Sequence, residues 1–129
     1  MPPAHLTILL VEDDGALRHL YRLALELHGY VVEVAADGVS ALQVVESGVL
    51  PDLVILDLLL PRMSGFTVAA DLAANPRTAA IPIIIVTGTT EPFDEHPFAR
   101  VLHKPASPDQ LVTAVELALK AGGGAPVRH

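Results

Sequence analysis

Apolar runs in this chain repeatedly end on polar residues. Leu6–Val11 is almost continuously apolar, which predicts a strand covered on both faces, and it runs into Glu12, Asp13 and Asp14. From about Gly15 to His28 the apolar positions Leu17, Leu20, Tyr21, Ala24 and Leu25 fall at helical spacing, with Arg18, Arg22 and Glu26 off that face and Gly29 as the stop. Tyr30–Ala35 reads as a second strand, near an edge because of Glu33. Asp37-Gly38 reads as a turn, followed by a helix over Val39–Glu46 with Ala41, Leu42, Val44 and Val45 inward. Leu53–Leu56 is a third strand ending at Asp57. Pro61–Gly65 is a loop, and a third helix runs to about Ala73, stopped by Asn75-Pro76. Pro82–Val86, leading into Thr87, is a fourth strand, and Arg100–Leu102 a short fifth, leading through His103 to Lys104-Pro105. The last helix has Ser107 as N-cap, Pro108 at its first position and Gln110 completing a capping box. Its apolar side is Leu111, Val112, Val115, Ala118 and Leu119, and Gly122-Gly123-Gly124 should end it.

Strands alternating with helices imply an α/β fold, a parallel sheet covered on both faces and joined by right-handed crossovers. The pattern fits the flavodoxin-like, doubly wound, five-stranded order 2-1-3-4-5. Strands one, three, four and five are then neighbours, and these carry the polar ends. Ligands of such sheets bind at that carboxyl edge.

The 129 residues suit one domain, and 51% hydrophobic residues suffice for a core. No apolar stretch approaches the length of a membrane span, and Met1-Pro2-Pro3-Ala4 does not read as the start of a signal peptide. The absence of cysteine excludes disulfides and thiol catalysis and fits a cytoplasmic location. A net charge of −7 disfavours nonspecific nucleic-acid binding.

Asp57 lies within an otherwise apolar run, so the group needs a cation or must become neutral, and its purely structural reading is a helix cap or an ion pair. Asp14 suits an N-cap, but Glu12 and Asp13 come too early for that role. Together with Asp57 they offer hard oxygen ligands for Mg²⁺ or Mn²⁺. Lys104 is the complementary cation, a compact charge suited to a phosphoryl oxygen. Thr87 offers a hydroxyl, although a β-branched residue at a strand end also has a purely structural reading. The histidines show no metal-ligand spacing.

These residues in this order resemble the receiver domain of bacterial two-component response regulators, the CheY-like family. The resemblance rests on Val11-Glu12-Asp13-Asp14, Leu56-Asp57 with Pro61 and Gly65, Val86-Thr87-Gly88 and Lys104-Pro105. It implies that Asp57 accepts a phosphoryl group from a histidine kinase or a histidine phosphotransfer protein. It also implies that Asp13, Asp57 and the Leu59 backbone carbonyl bind the metal directly, that Glu12 binds through water, and that Thr87 and Lys104 contact the phosphoryl group. The domain would span 1–121, with 122–129 a flexible tail or the start of a linker. The output partner is an unspecified protein rather than nucleic acid or membrane, and the chain modifies itself without being a turnover enzyme.

Two departures bear on output. The family usually has an aromatic residue three positions before the lysine; here it is Val101. Lys104 follows Thr87 by only seventeen positions, and Pro92 and Pro97 interrupt Thr89–Phe98. The fourth helix of the fold is therefore expected to be shortened or absent, with Phe93 or Phe98 a substitute for the missing ring. One rival is a pseudo-receiver acting as a phosphorylation-independent interaction module. A flavodoxin-type phosphate site would be repelled by Glu12-Asp13-Asp14. A phosphatase with a nucleophilic aspartate would want a second carboxylate where Leu59 stands.

Overall fold

The computed structural model describes residues 5–124. The elements in order are β1 (Thr7–Val11), α1 (Gly15–Leu27), β2 (Val31–Ala35), α2 (Gly38–Glu46), β3 (Leu53–Leu56), α3 (Gly65–Ala74), β4 (Ile83–Thr87), β5 (Arg100–His103) and α4 (Pro108–Gly124). All pairings are parallel, in the order β2-β1-β3-β4-β5. This is the flavodoxin-like arrangement expected from the alternation of periods. No helix lies between β4 and β5. The prolines and the short connection leave turns there, so the chain has four helices among its described residues.

Strand alternation explains the unbroken apolar runs. Ile8, Leu10, Leu53, Ile55, Ile84 and Val86 pack with Tyr21 and Leu25 of α1 and with Leu111 and Val115 of α4. Leu9, Val11, Val54, Leu56 and Ile85 pack on the opposite face with Ala41 and Val45 of α2 and Val68 and Leu72 of α3. Because both faces are covered, every position is apolar and no period of two survives in the sequence.

The helix starts are chemically defined. Asp14 accepts from the Leu17 amide at 3.1 Å. Ser107 and Gln110 bond reciprocally, at 2.7 and 3.1 Å, as the capping box requires. Asp37, read from sequence as turn material, is the N-cap of α2 and accepts from the Ser40 amide at 2.7 Å.

Two further expectations are corrected. Leu20 is 48% exposed; the buried stripe of α1 runs through Tyr21 and Leu25 with Leu17 and Ala24 partly buried, and Leu20 falls on its solvent side. The three glycines do not end the last helix, which continues through Gly124. Glycine weakens a helix interior by about 1 kcal/mol relative to alanine but does not forbid it. Residues 125–129 of the expected tail, and Met1–Ala4, which do not read as a signal peptide, fall outside the described residues.

Candidate functional site

β1 and β3 are adjacent, with Val11 opposite Leu56, so the residues that follow each strand emerge side by side. The Asp57 amide extends the pairing by donating to the Val11 carbonyl at 3.2 Å. Glu12, Asp13 and Asp57 each place a carboxylate oxygen within 4.8 Å of the others. Glu12 and Asp57 are buried, at 2% and 4% exposure, whereas Asp13 faces solvent.

Lys104 answers this charge. Its ammonium lies 2.8 Å from Glu12 Oε1 and 2.8 Å from Asp57 Oδ2. The other oxygen of each carboxylate accepts from an amide: Asp57 Oδ1 from Leu59 at 2.9 Å, Glu12 Oε2 from Asp14 at 3.0 Å. Thr87, fully buried, ends β4 and pairs with His103. Its carbonyl accepts from the Lys104 amide at 2.9 Å, so the hydroxyl and the ammonium leave the sheet from adjoining strands. The Thr87 hydroxyl accepts from the Thr89 amide at 3.3 Å. The Lys104–Pro105 bond is cis.

The electrostatics follow from burial and pairing. Burial raises the Glu12 carboxyl above its ordinary range and outweighs the opposing effects of Lys104 and the Asp14 amide. For Lys104, burial is the largest single influence and pulls its pKa down. The hydrogen bonds and charges of Asp57 and Glu12 together exceed it, and the ammonium is held well above the usual lysine range. Two anions around one cation leave the cluster net negative. Hard oxygen donors around excess negative charge are what a divalent ion such as Mg²⁺ requires, and the residues present fit one.

The backbone after Asp57 is shaped by Gly65. A Cβ there would sit 2.2 Å from the Asp57 carbonyl oxygen and 2.6 Å from Leu58 Cα. The Gly65 amide donates to the Leu58 carbonyl at 3.0 Å. The start of α3, capped by Ser64, is thereby pressed against the segment that carries Asp57.

Sequence reasoning missed several supporting groups. Arg18 reaches back to the Glu12 carbonyl at 2.8 Å and fixes the turn after β1. Arg62, at a φ of 69°, contacts Asp37 at 3.2 Å and links the loops that follow β3 and β2. Tyr21 donates to the Ala106 carbonyl at 2.7 Å. Of these, only Tyr21 left a signal in the sequence, a hydroxyl on an otherwise apolar helix face. The five described histidines, His5, His19, His28, His96 and His103, are all exposed.

The connection between β4 and β5 carries an aromatic cluster. Phe93 stacks edge-on against Phe66 at 5.7 Å and against Phe98 at 6.2 Å. Both Phe93 and Phe98 pack on the same core face as Val101.

Comparison with known proteins agrees with this geometry. A family model described as the response regulator receiver domain matches residues 8–116. The DNA-binding response regulator MtrA of Mycobacterium tuberculosis is 34% identical over 124 residues, in a match that covers 92% of this chain and 53% of that protein. The master transcriptional regulator RpaA of Synechocystis is 42% identical over 80 residues, 62% of this chain and 33% of that one. The chain thus spans about a third to a half of the relatives it matches. Among solved structures, a CheY-like receiver domain protein of Methanospirillum hungatei superposes with a TM-score of 0.85 at 25% identity, covering 93% of this chain and 98% of that one. CheY4 of Vibrio cholerae, a chemotaxis response regulator, gives 0.80 at 27% identity, covering 89% and 99%.

Proposed function

The chain belongs to the response regulator receiver domain family, and on that premise we propose that Asp57 takes a phosphoryl group from a phosphohistidine of a kinase or phosphotransfer protein. One observation carries the reading: a single ammonium, Lys104, lies 2.8 Å from both Glu12 and Asp57, inside a carboxylate cluster fit for a divalent ion. A carboxylate oxygen of Asp57 attacks phosphorus, the N–P bond breaks, and its electron pair returns to the imidazole nitrogen. No general base is needed. Lys104 would transfer its contact from the Asp57 carboxylate to an incoming phosphoryl oxygen, and the Thr87 hydroxyl would take another. Asp13, Asp57 and the Leu59 carbonyl would hold Mg²⁺ directly, with Glu12 acting through water. When bound, the ion neutralises phosphoryl charge during transfer. The event is stoichiometric self-modification and not turnover.

The output is read by a protein partner at a remodelled face. The stretch from Thr89 to Phe98 has no helix and is organised by the Phe66–Phe93–Phe98 cluster, which takes the place of the ring absent at Val101. Excess acidic residues over basic ones argue against direct nucleic-acid contact by this chain. No helix among the described residues is long and apolar enough to cross a membrane, and the reading places the protein in the cytoplasm, where its kinase partners present phosphohistidine. Incubation with acetyl phosphate and Mg²⁺ tests the reading. Mass spectrometry should show one phosphoryl addition that Asp57→Asn abolishes and that chelation of the metal prevents. No addition would favour a phosphorylation-independent interaction module, and addition without metal would overturn the role given to the ion.

A further inference from the structure

Tyr21 is the largest fully buried side chain of α1, and the proposed phosphoryl transfer does not use it. Its ring fills the core between the sheet and α4, packing with Leu111, Val112 and Val115. Packing alone would be served by phenylalanine or leucine. The hydroxyl has a separate task. It donates to the Ala106 carbonyl at 2.7 Å, across 85 positions of sequence. Ala106 precedes the N-cap Ser107, so its carbonyl stands outside the hydrogen bonding of α4. Ala106 is two residues beyond Lys104, and Tyr21, Lys104, Pro105 and Ala106 line one cleft with Leu17. Burial is the largest influence on the Tyr21 phenol and raises it above its ordinary range, with smaller effects from Lys104, Glu12 and Asp57.

We propose that Tyr21 is a positioning residue for Lys104: its phenol O–H anchors the Lys104–Ala106 turn at a fixed distance from β1 and β3, so that the ammonium spans Glu12 and Asp57. The backbone of Lys104 is otherwise held on its strand side, where its amide donates to the Thr87 carbonyl at 2.9 Å. A long, rotatable side chain reaches two carboxylates at once only if its backbone origin is fixed. The Thr87 and Tyr21 bonds fix that origin from both sides. Position 21 thus links α1, which starts just after Glu12 and Asp13, to the loop that supplies the cation.

Tyr21→Phe tests this by removing one oxygen while keeping the ring. In the metal-free full chain, the isotope-labelled Lys104 ammonium signal should be visible by NMR and slow to exchange. In Tyr21→Phe it should broaden or exchange faster, while the melting temperature falls by only a few degrees. This arm is independent of Asp57 chemistry. The kinetic arm rests on the proposed function: labelling by acetyl phosphate should slow roughly three- to tenfold, the scale of one lost hydrogen bond. In a Lys104→Ala background the same change should have no further effect. An unchanged ammonium signal in Tyr21→Phe overturns the proposal. So does an undiminished rate loss in the Lys104→Ala background, which would mark Tyr21 as structural only. Wild-type protein that takes no label would instead refute the functional reading and leave the NMR arm to decide on Tyr21.

Discussion

Lys104 and Asp57 are 47 positions apart in sequence and 2.8 Å apart in space. The same ammonium bonds Glu12, so one lysine neutralises part of a buried charge pair contributed by two other strands. Removing it would leave two buried carboxylates facing each other, and the loss of such a partner costs more than the pair contributes when intact.

Replacing Lys104 with Met should therefore lower the unfolding free energy of the metal-free protein by about 2 kcal/mol, a value discounted for the partial exposure of the lysine. Urea melts measure it. Part of the loss should return on adding Mg²⁺, and a variant as stable as the parent without metal would contradict the charge argument.

Mg²⁺ itself should stabilise the folded chain through Asp13 and Asp57. At ten times its dissociation constant the gain is about 1.4 kcal/mol, seen as a rise in Tm. Asp13→Asn should flatten that dependence while leaving the metal-free Tm almost unchanged, because Asp13 is exposed. A full Mg²⁺ response in Asp13→Asn would remove this residue from the ligand set.

Gly65→Ala places a Cβ where the Asp57 carbonyl already stands, at 2.2 Å. Backbone cannot yield as a flexible side chain would, so a loss of about 3 kcal/mol is expected, with impaired labelling of Asp57. Chemical denaturation and acetyl phosphate incubation report the two effects separately, and a neutral substitution would mean that α3 does not press on the acceptor segment.

Asp37 gives a pH test. The Ser40 amide, and then Arg62, hold its carboxyl below the ordinary range. A depressed carboxylate adds stability above its unfolded-state pKa, and that stability disappears as pH falls through the folded value. The stability difference between wild type and Asp37→Ala should thus be present at neutral pH and shrink below about pH 4. A difference that persists undiminished at pH 2 would mean that the charge plays no part.

Phosphorylation should be felt in the connection between β4 and β5. Amide exchange is expected to change in the stretch from Thr89 to Phe98, where Phe98 donates to the Glu95 carbonyl at 3.1 Å. Phe93→Leu, which removes the central ring of the cluster, should weaken that response while Asp57 is still labelled. Changes confined to α4 would place the output elsewhere.

Local physics was legible in the chain. Unbroken apolar runs announce strands covered on both faces, the Ser107–Gln110 box and the Asp14 cap are spelled out, and Pro92 and Pro97 point to a shortened or absent helix between the last two strands. The acidic and basic residues at strand ends identified the candidate site, because in a parallel sheet every strand delivers its carboxyl end to one edge. What the linear order does not contain is distance. That Glu12 is buried while Asp13 is exposed, that Leu20 turns outward, that Gly65 lies under the Asp57 carbonyl, and that the Tyr21 hydroxyl finds Ala106 all depend on how helices seat against the sheet. Helical periodicity assigns a face to within a residue or so; the packing of α1, α3 and α4 sets the remaining ångströms, and hydrogen bonds and close contacts are decided at that scale.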